Sequence, residues 1–142
     1  MNVITLLTPK AQVAYLYDDC TIRQGLEKLR SRGYTAIPVL NKDGAYVGTV
    51  SEGDFLWNIL DHQNCNMQDL GQMPLKNLLR KGFNPPVSVL VTMEELLDRA
   101  MQQSFVPVAD DRGAFIGIVT RQTIMRKLAL PNLEPEPDTA LA

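Results

Sequence analysis

The stretch Ala36-Ile37-Pro38-Val39-Leu40, followed by Asp43-Gly44 and then Tyr46-Val47-Gly48-Thr49-Val50-Ser51-Glu52-Gly53-Asp54-Phe55, decides the fold. It reads as strand, hairpin turn, strand and helix, because β-branched and aromatic residues flank an Asp-Gly turn and a serine then opens an apolar helical stripe. The same statement returns as Phe105-Val106-Pro107-Val108-Ala109, Arg112-Gly113 and Phe115-Ile116-Gly117-Ile118-Val119-Thr120-Arg121-Gln122-Thr123-Ile124. Pro38 and Pro107, Gly44 and Gly113, Gly48 and Gly117, and Ser51 and Thr120 all lie 69 positions apart. Such an internal repeat defines a two-part, pseudo-symmetric module with a cleft between its halves.

Working outward, Val13 to Tyr17 reads as a short buried strand. Thr21 with Gln24 fits a helix capping box, Ile22, Leu26 and Leu29 recur at helical spacing, and Gly33 ends that helix. In the second copy Val87 to Val91 is the strand and Thr92 with Glu95 the capping box. Met93, Leu96, Leu97 and Ala100 form the stripe, and a last helix runs from about Thr120 to Leu130. The cap-to-proline distance is 17 in the first copy and 15 in the second, so the second has lost two residues at the end of its first helix. The fold class expected is α/β (α+β), two β-α-β-β-α repeats. The boundaries are 1–62 for the first repeat with a lead-in at Val3 to Leu7, 63–84 for a linker, 85–130 for the second repeat, and 131–142 for a disordered acidic tail. Within the linker, 61–73 reads as loop and Pro74 to Arg80 as a short helix with proline in its first turn.

The chain of 142 residues is 45% hydrophobic, enough for a real core. A net charge of -2 offers no argument for nucleic acid or an anionic membrane, and no apolar run approaches the roughly 20 residues that span a bilayer. The start lacks a positive segment before its apolar run, so no signal peptide is expected. Cys20 and Cys65 lie far apart without metal-like spacing and read as reduced thiols of a cytoplasmic protein. His62 is the single histidine, which argues against His-based triads and multi-His metal sites. No nucleophile–base pair and no phosphate-cradling glycine loop is visible, so no catalytic residues, metal site or required cofactor are expected.

The ordered set Ile37-Pro38-Val39, Asp43-Gly44 and Gly48-Thr49-Val50-Ser51-Glu52-Gly53-Asp54, found twice, resembles the cystathionine-β-synthase (CBS) domain, here as a tandem pair over roughly residues 10 to 130. The resemblance implies packing of the repeats about a pseudo-twofold axis, a homodimer, and clefts that bind an adenosine-containing nucleotide. The family's ligand signature is a hydroxyl residue followed three positions on by aspartate, which maps onto Ser51 for phosphate and Asp54 for ribose. A strand-to-helix junction suits this chemistry, since free N–H groups and the helix dipole face the phosphate. In the second copy Thr120 keeps the hydroxyl, Thr123 replaces the aspartate, and Arg121 adds positive charge. By resemblance one cleft joins Phe105 and Val106 to Ser51 and Asp54. The other joins Val13, Thr35, Ala36, Ile37 and Pro38 to Thr120 and Arg121, with Lys10 or Gln12 in reach of a phosphate.

The set Gly33-Tyr34-Thr35-Ala36-Ile37-Pro38-Val39 with Phe105-Val106 and Thr120-Arg121 is also similar to the small stand-alone CBS-pair proteins of Gram-positive bacteria, several of which bind cyclic di-AMP. Gln12 and Gln122 depart from the lysine and second arginine usual there. The resemblance implies a non-catalytic regulatory protein sensing AMP, ADP, ATP or cyclic di-AMP and signalling to a separate, regulated partner protein. The alternative is a structural dimeric interaction subunit with degenerate clefts that binds no nucleotide.

Overall fold

The computed structural model describes residues 2–129. The acidic tail expected at 131–142 lies outside the described residues. In chain order the elements are α1 (Val3–Leu6), β1 (Thr8–Pro9), β2 (Leu16–Tyr17), α2 (Ile22–Arg32), β3 (Ala36–Leu40), β4 (Tyr46–Ser51), α3 (Glu52–Asp61), α4 (Met67–Gln72), α5 (Met93–Gln102), β5 (Phe105–Ala109), β6 (Phe115–Thr120) and α6 (Arg121–Ala129). Short 3-10 turns occupy Lys10–Gln12 and Leu75–Leu78.

Two three-stranded sheets result, β2-β3-β4 and β1-β6-β5. The hairpins β3–β4 and β5–β6 are antiparallel and share one register, Ala36 opposite Ser51 and Phe105 opposite Thr120, each with an irregularity at the corresponding place. Their turns are built alike. The Asn41 and Asp110 side chains each accept two backbone N–H groups, and Gly44 and Gly113 take the left-handed conformation that lets the chain return. The two turns then meet: the Tyr46 amide donates to the Gly113 carbonyl at 3.3 Å and the Phe115 amide to the Gly44 carbonyl at 2.9 Å. Because 44 and 113, and 46 and 115, are repeat equivalents, this reciprocal exchange marks a pseudo-twofold axis between the halves.

The lead-in segments cross over. β1 pairs with β6 of the second repeat, and Val3 and Leu6 are buried in the core built from Val87, Leu96, Val106, Val108, Val119 and Ile124. Gly117 permits this: a Cβ there would collide with the Thr8 carbonyl oxygen. Leu75 and Leu78 likewise enter the first repeat's core with Leu16, Ile37, Val39, Val50 and Phe55, where Phe105, Phe115 and Ile118 also pack.

Several sequence expectations need correction. The first strand was expected over Val13 to Tyr17, but only Leu16 and Tyr17 pair with β3, because the Lys10–Gln12 turn brings the chain onto the sheet late. Val87 to Val91 makes a single parallel bridge, Val87 to Val108, rather than a strand. The segment 61–73 is not all loop: Asn66 caps α4 by accepting the Asp69 amide, and Leu70 is buried against the first repeat. The short helix expected at Pro74 to Arg80 is the tighter 3-10 turn, with Pro74 just before it. Thr21 and Gln24 form both bonds of a capping box, whereas at Thr92 only the Glu95 amide bond forms. α5 ends on an extended Gln103, unlike α2 with its left-handed Gly33.

Candidate functional site

The junction of β4 and α3 gathers the hydroxyl and carboxylate of the first copy. The Glu52 amide donates to the Thr35 carbonyl at 2.9 Å, which ties the start of α3 to β3. Asp54 lies one turn in, 8% exposed. Its Oδ2 accepts from the Ser51 amide at 2.8 Å and the Ser51 hydroxyl at 3.0 Å. The other side of the carboxylate is met by Arg80, with Nε 2.8 Å from Oδ1 and Nη2 3.4 Å from Oδ2, a two-point charge-assisted contact. Arg80 remains half exposed and its guanidinium stacks 3.6 Å from the Phe83 ring centroid. One constellation of hydroxyl, carboxylate and guanidinium therefore spans the junction and the linker.

Sequence reasoning missed Arg80. The residue at the matching place in the lead-in to the first repeat is Thr8, two past Leu6 as Arg80 is two past Leu78, and it pairs with Ile118 in β1, so the repeat gave no hint of a cation there.

The second junction is built the same way but carries different chemistry. The Arg121 amide donates to the Ser104 carbonyl at 2.9 Å, the equivalent of the Glu52–Thr35 bond. Thr120, 3% exposed, accepts from the Thr123 amide at 3.1 Å and donates its hydroxyl to Thr123 Oγ1 at 2.9 Å. Thr123 thus closes onto Thr120 where Asp54 reaches outward to Arg80. Arg121 is exposed, but its Nε donates at 2.7 Å to the Ala100 carbonyl in the last turn of α5, a favourable place for a cation.

The remaining expected residues fall in different settings. Phe105 and Val106 have fully buried side chains, Phe105 in the first core and Val106 in the second, which leaves only their main-chain groups to meet a ligand. Ile37 and Pro38 are buried as well, while Ala36 is half-buried and Thr35 exposed. Strand register places Ala36 beside Ser51 and Phe105 beside Thr120, within each repeat. Asn84, four positions beyond Arg80 in the chain, bonds to Thr49 of the first repeat and to the Phe105 carbonyl of the second. Lys10 sits over the Tyr15 ring, 5.5 Å from its centroid, and exposed Gln12 and buried Val13 border a groove beside α2.

Asn84 is a polar junction between the halves, 4% exposed and left-handed at φ 50°. Its Nδ2 donates to Thr49 Oγ1 at 3.3 Å and to the Phe105 carbonyl at 3.4 Å, while Oδ1 accepts from Arg99 Nη2 at 3.3 Å. The Tyr46 hydroxyl donates to the Asn84 carbonyl at 2.7 Å and lies 2.7 Å from Thr49 Oγ1. Burial pushes the Tyr46 phenol up to about 12. These bonds satisfy polar groups that would otherwise be stranded between two apolar cores. Burial also raises the Cys20 thiol, with the Asp19 charge adding to it, and both cysteines are free. Among the described residues no group of three or more His, Cys, Asp or Glu could hold a metal, and no helix is long and apolar enough to cross a membrane.

The CBS domain pattern matches residues 5–61 and 76–130, and with both sheets and both junctions in place the chain belongs to the CBS domain family. It carries two such domains in tandem. A curated relative, MJ1426 of Methanocaldococcus jannaschii, is 28% identical over 80% of this chain and 84% of its own length. The crystal structure of a CBS domain protein from Streptococcus pneumoniae TIGR4 superposes with a TM-score of 0.82 at 27% identity, over 92% of this chain and 89% of that one. The structure of CbpB in complex with c-di-AMP superposes with a TM-score of 0.83 at 24% identity, over 91% and 85%.

Proposed function

We propose that this chain is a non-catalytic regulatory module that binds an adenosine-containing nucleotide and transmits its occupancy to a separate protein. The observation that carries the reading is the meeting of Ser51, Asp54 and Arg80 at one strand-to-helix junction. Ribose recognition needs a carboxylate that accepts two hydroxyls, and phosphate recognition needs a cation and N–H groups at a helix start. Binding exchanges the Asp54–Arg80 contact for ribose on the carboxylate and phosphate on the guanidinium. The fold supports a cyclic dinucleotide as well as AMP, ADP or ATP, since CbpB of like fold holds c-di-AMP. A ligand shifts the partner's binding only by its differential affinity for two states of this chain, and the Arg80 exchange supplies such a difference.

A second reading, a dimeric interaction subunit, draws on exposed apolar side chains. Leu26 on α2 and Leu56, Trp57 and Leu60 on α3 lie bare on the first repeat, and Met101, Met125 and Leu128 on the second. The two readings are compatible, with the helices making a homodimer while the junction binds the nucleotide.

Thermal melting with AMP, ADP, ATP and cyclic di-AMP tests the sensing role. A ligand at 100 times its Kd stabilises the fold by about 2.7 kcal/mol, which moves the melting temperature by several degrees. No shift with any of the four at millimolar concentration leaves the interaction subunit as the reading.

A further inference from the structure

Position 28 on α2 and position 99 on α5 are equivalent, each seven residues past a threonine N-cap, Thr21 and Thr92. In the second repeat Arg99 reaches across to the chain entering that repeat. Its Nη2 donates to Asn84 Oδ1 at 3.3 Å and to the Pro85 carbonyl, which ties helix to chain. In the first repeat Lys28 makes no such bond, and its ammonium has no hydrogen-bond or ion-pair partner among the described residues. The corresponding space stays open as a groove of about 660 Å³ between α2 and the Ala11 to Tyr17 run. Volumes of roughly 300–1,000 Å³ are those of small-molecule sites.

The groove is positively charged. Arg32 lies one turn beyond Lys28 on the same face of α2, at a place where the second repeat has uncharged Gln103. The carboxylate on the groove wall, Asp19, is engaged by Lys42 at 3.0 Å, and the Gln24 side chain is committed to the Thr21 cap. Lys28 and Arg32 therefore line the groove with no ion pair of their own, the one lining carboxylate, Asp19, being held by Lys42, and Gln12 adds an exposed amide on the opposite wall.

We propose that this groove is a second anion site, one that takes a phosphate-bearing small molecule with Lys28 and Arg32 as its phosphate ligands. Cβ atoms four residues apart on a helix stand about 6 Å from one another, so the two cations can grip one phosphate or adjacent phosphates. Arg32 supplies a fork that matches phosphate oxygens, and Lys28 a point charge. The Tyr15 and Tyr17 rings on the wall offer a surface for an attached apolar or flat group. The site uses no atom of the Ser51–Asp54–Arg80 constellation, so it stands or falls separately from nucleotide sensing there.

Calorimetric titration of the full chain with pyrophosphate at low ionic strength tests it. Saturable binding is expected, weakened about tenfold or more in K28Q/R32Q, since each charge-assisted bond carries that order of affinity. Both side chains reach solvent, so the double variant should fold, which far-UV circular dichroism checks. R23Q, on the same helix but paired with Glu27 outside the groove, is expected to leave pyrophosphate affinity unchanged. Four outcomes overturn the assignment: no saturable binding; equal affinity in K28Q/R32Q; loss of binding in R80Q or R121Q alone; or an identical response to sodium sulfate at matched ionic strength.

Discussion

Arg80 and Asp54 stand 26 positions apart in the chain and 2.8 Å apart in space. The contact joins the linker to the first turn of α3 and pairs the buried carboxylate there with a cation. The partners are unequal: Asp54 is nearly buried and shares its oxygens with Ser51, whereas Arg80 is half in solvent.

That inequality predicts an order of effects. Arg80→Gln leaves Asp54 its two bonds from Ser51 and, because the arginine is half exposed, should cost only about 1 kcal/mol. Asp54→Ala also removes the bond to the Ser51 amide at the start of α3 and should cost about 1–2 kcal/mol. Urea midpoints measure both, and a reversed order would show that the Ser51 bonds do not suffice to hold the unpaired Asp54 carboxylate. Asp54→Ala should also weaken nucleotide affinity about tenfold or more by calorimetry.

Gly117 and Gly113 separate crowding from backbone strain. Both have positive φ, 153° and 85°, but a Cβ at 113 meets open space and one at 117 meets the Thr8 carbonyl. Gly113→Ala should cost about 1–2 kcal/mol, the penalty of a side chain in left-handed backbone. Gly117→Ala should cost more, about 3 kcal/mol or above, because β1 must also leave β6. Equal losses in guanidinium melts would mean that the β1 pairing contributes nothing.

Tyr46 predicts an alkaline limit to stability. Its phenol titrates near 12 in the folded state against 10 when free, so its contribution is complete below pH 10 and is lost as pH rises through 12. Ultraviolet titration of the native protein should show one tyrosine ionising last, and Tyr46→Phe should remove that step. A profile unchanged by Tyr46→Phe would place the late-ionising tyrosine elsewhere.

Trp57 is 62% exposed on α3 beside Leu56 and Leu60. Trp57→Glu should therefore leave the monomer's stability within about 0.5 kcal/mol. It should halve the mass seen by light scattering if these helices form the homodimer interface. An unchanged dimer would move the interface to another face.

What was legible in the sequence was local. The strand-turn-strand-helix unit could be read because Asn41 and Asp110, Gly44 and Gly113, and the caps Thr21 and Thr92 each decide a few neighbouring residues. α4 was hidden, since a polar segment became helical through the Asn66 cap and a single buried leucine, Leu70. The first strands were overread because strand-forming residues do not reveal how many partners the neighbouring strand will offer, two for β2 and one for Val87. Ser51 and Asp54 were placed by the repeat and the resemblance. Arg80 was not, because its role comes from a long-range approach that the repeat does not share.

The crossing of the lead-ins has a consequence for how the molecule comes apart. α1, from the start of the chain, and α6, from the end of the described residues, bury Val3, Leu6 and Ile124 in one and the same core. Elements with few buried contacts open most readily, and here loosening either α1 or α6 opens the same core. Amide exchange should show residues 3–9 and 121–129 opening as a unit, while the interior run from Leu16 to Leu78 stays protected. Deleting residues 1–9 is therefore felt more than a hundred positions away, in the core that holds Ile124.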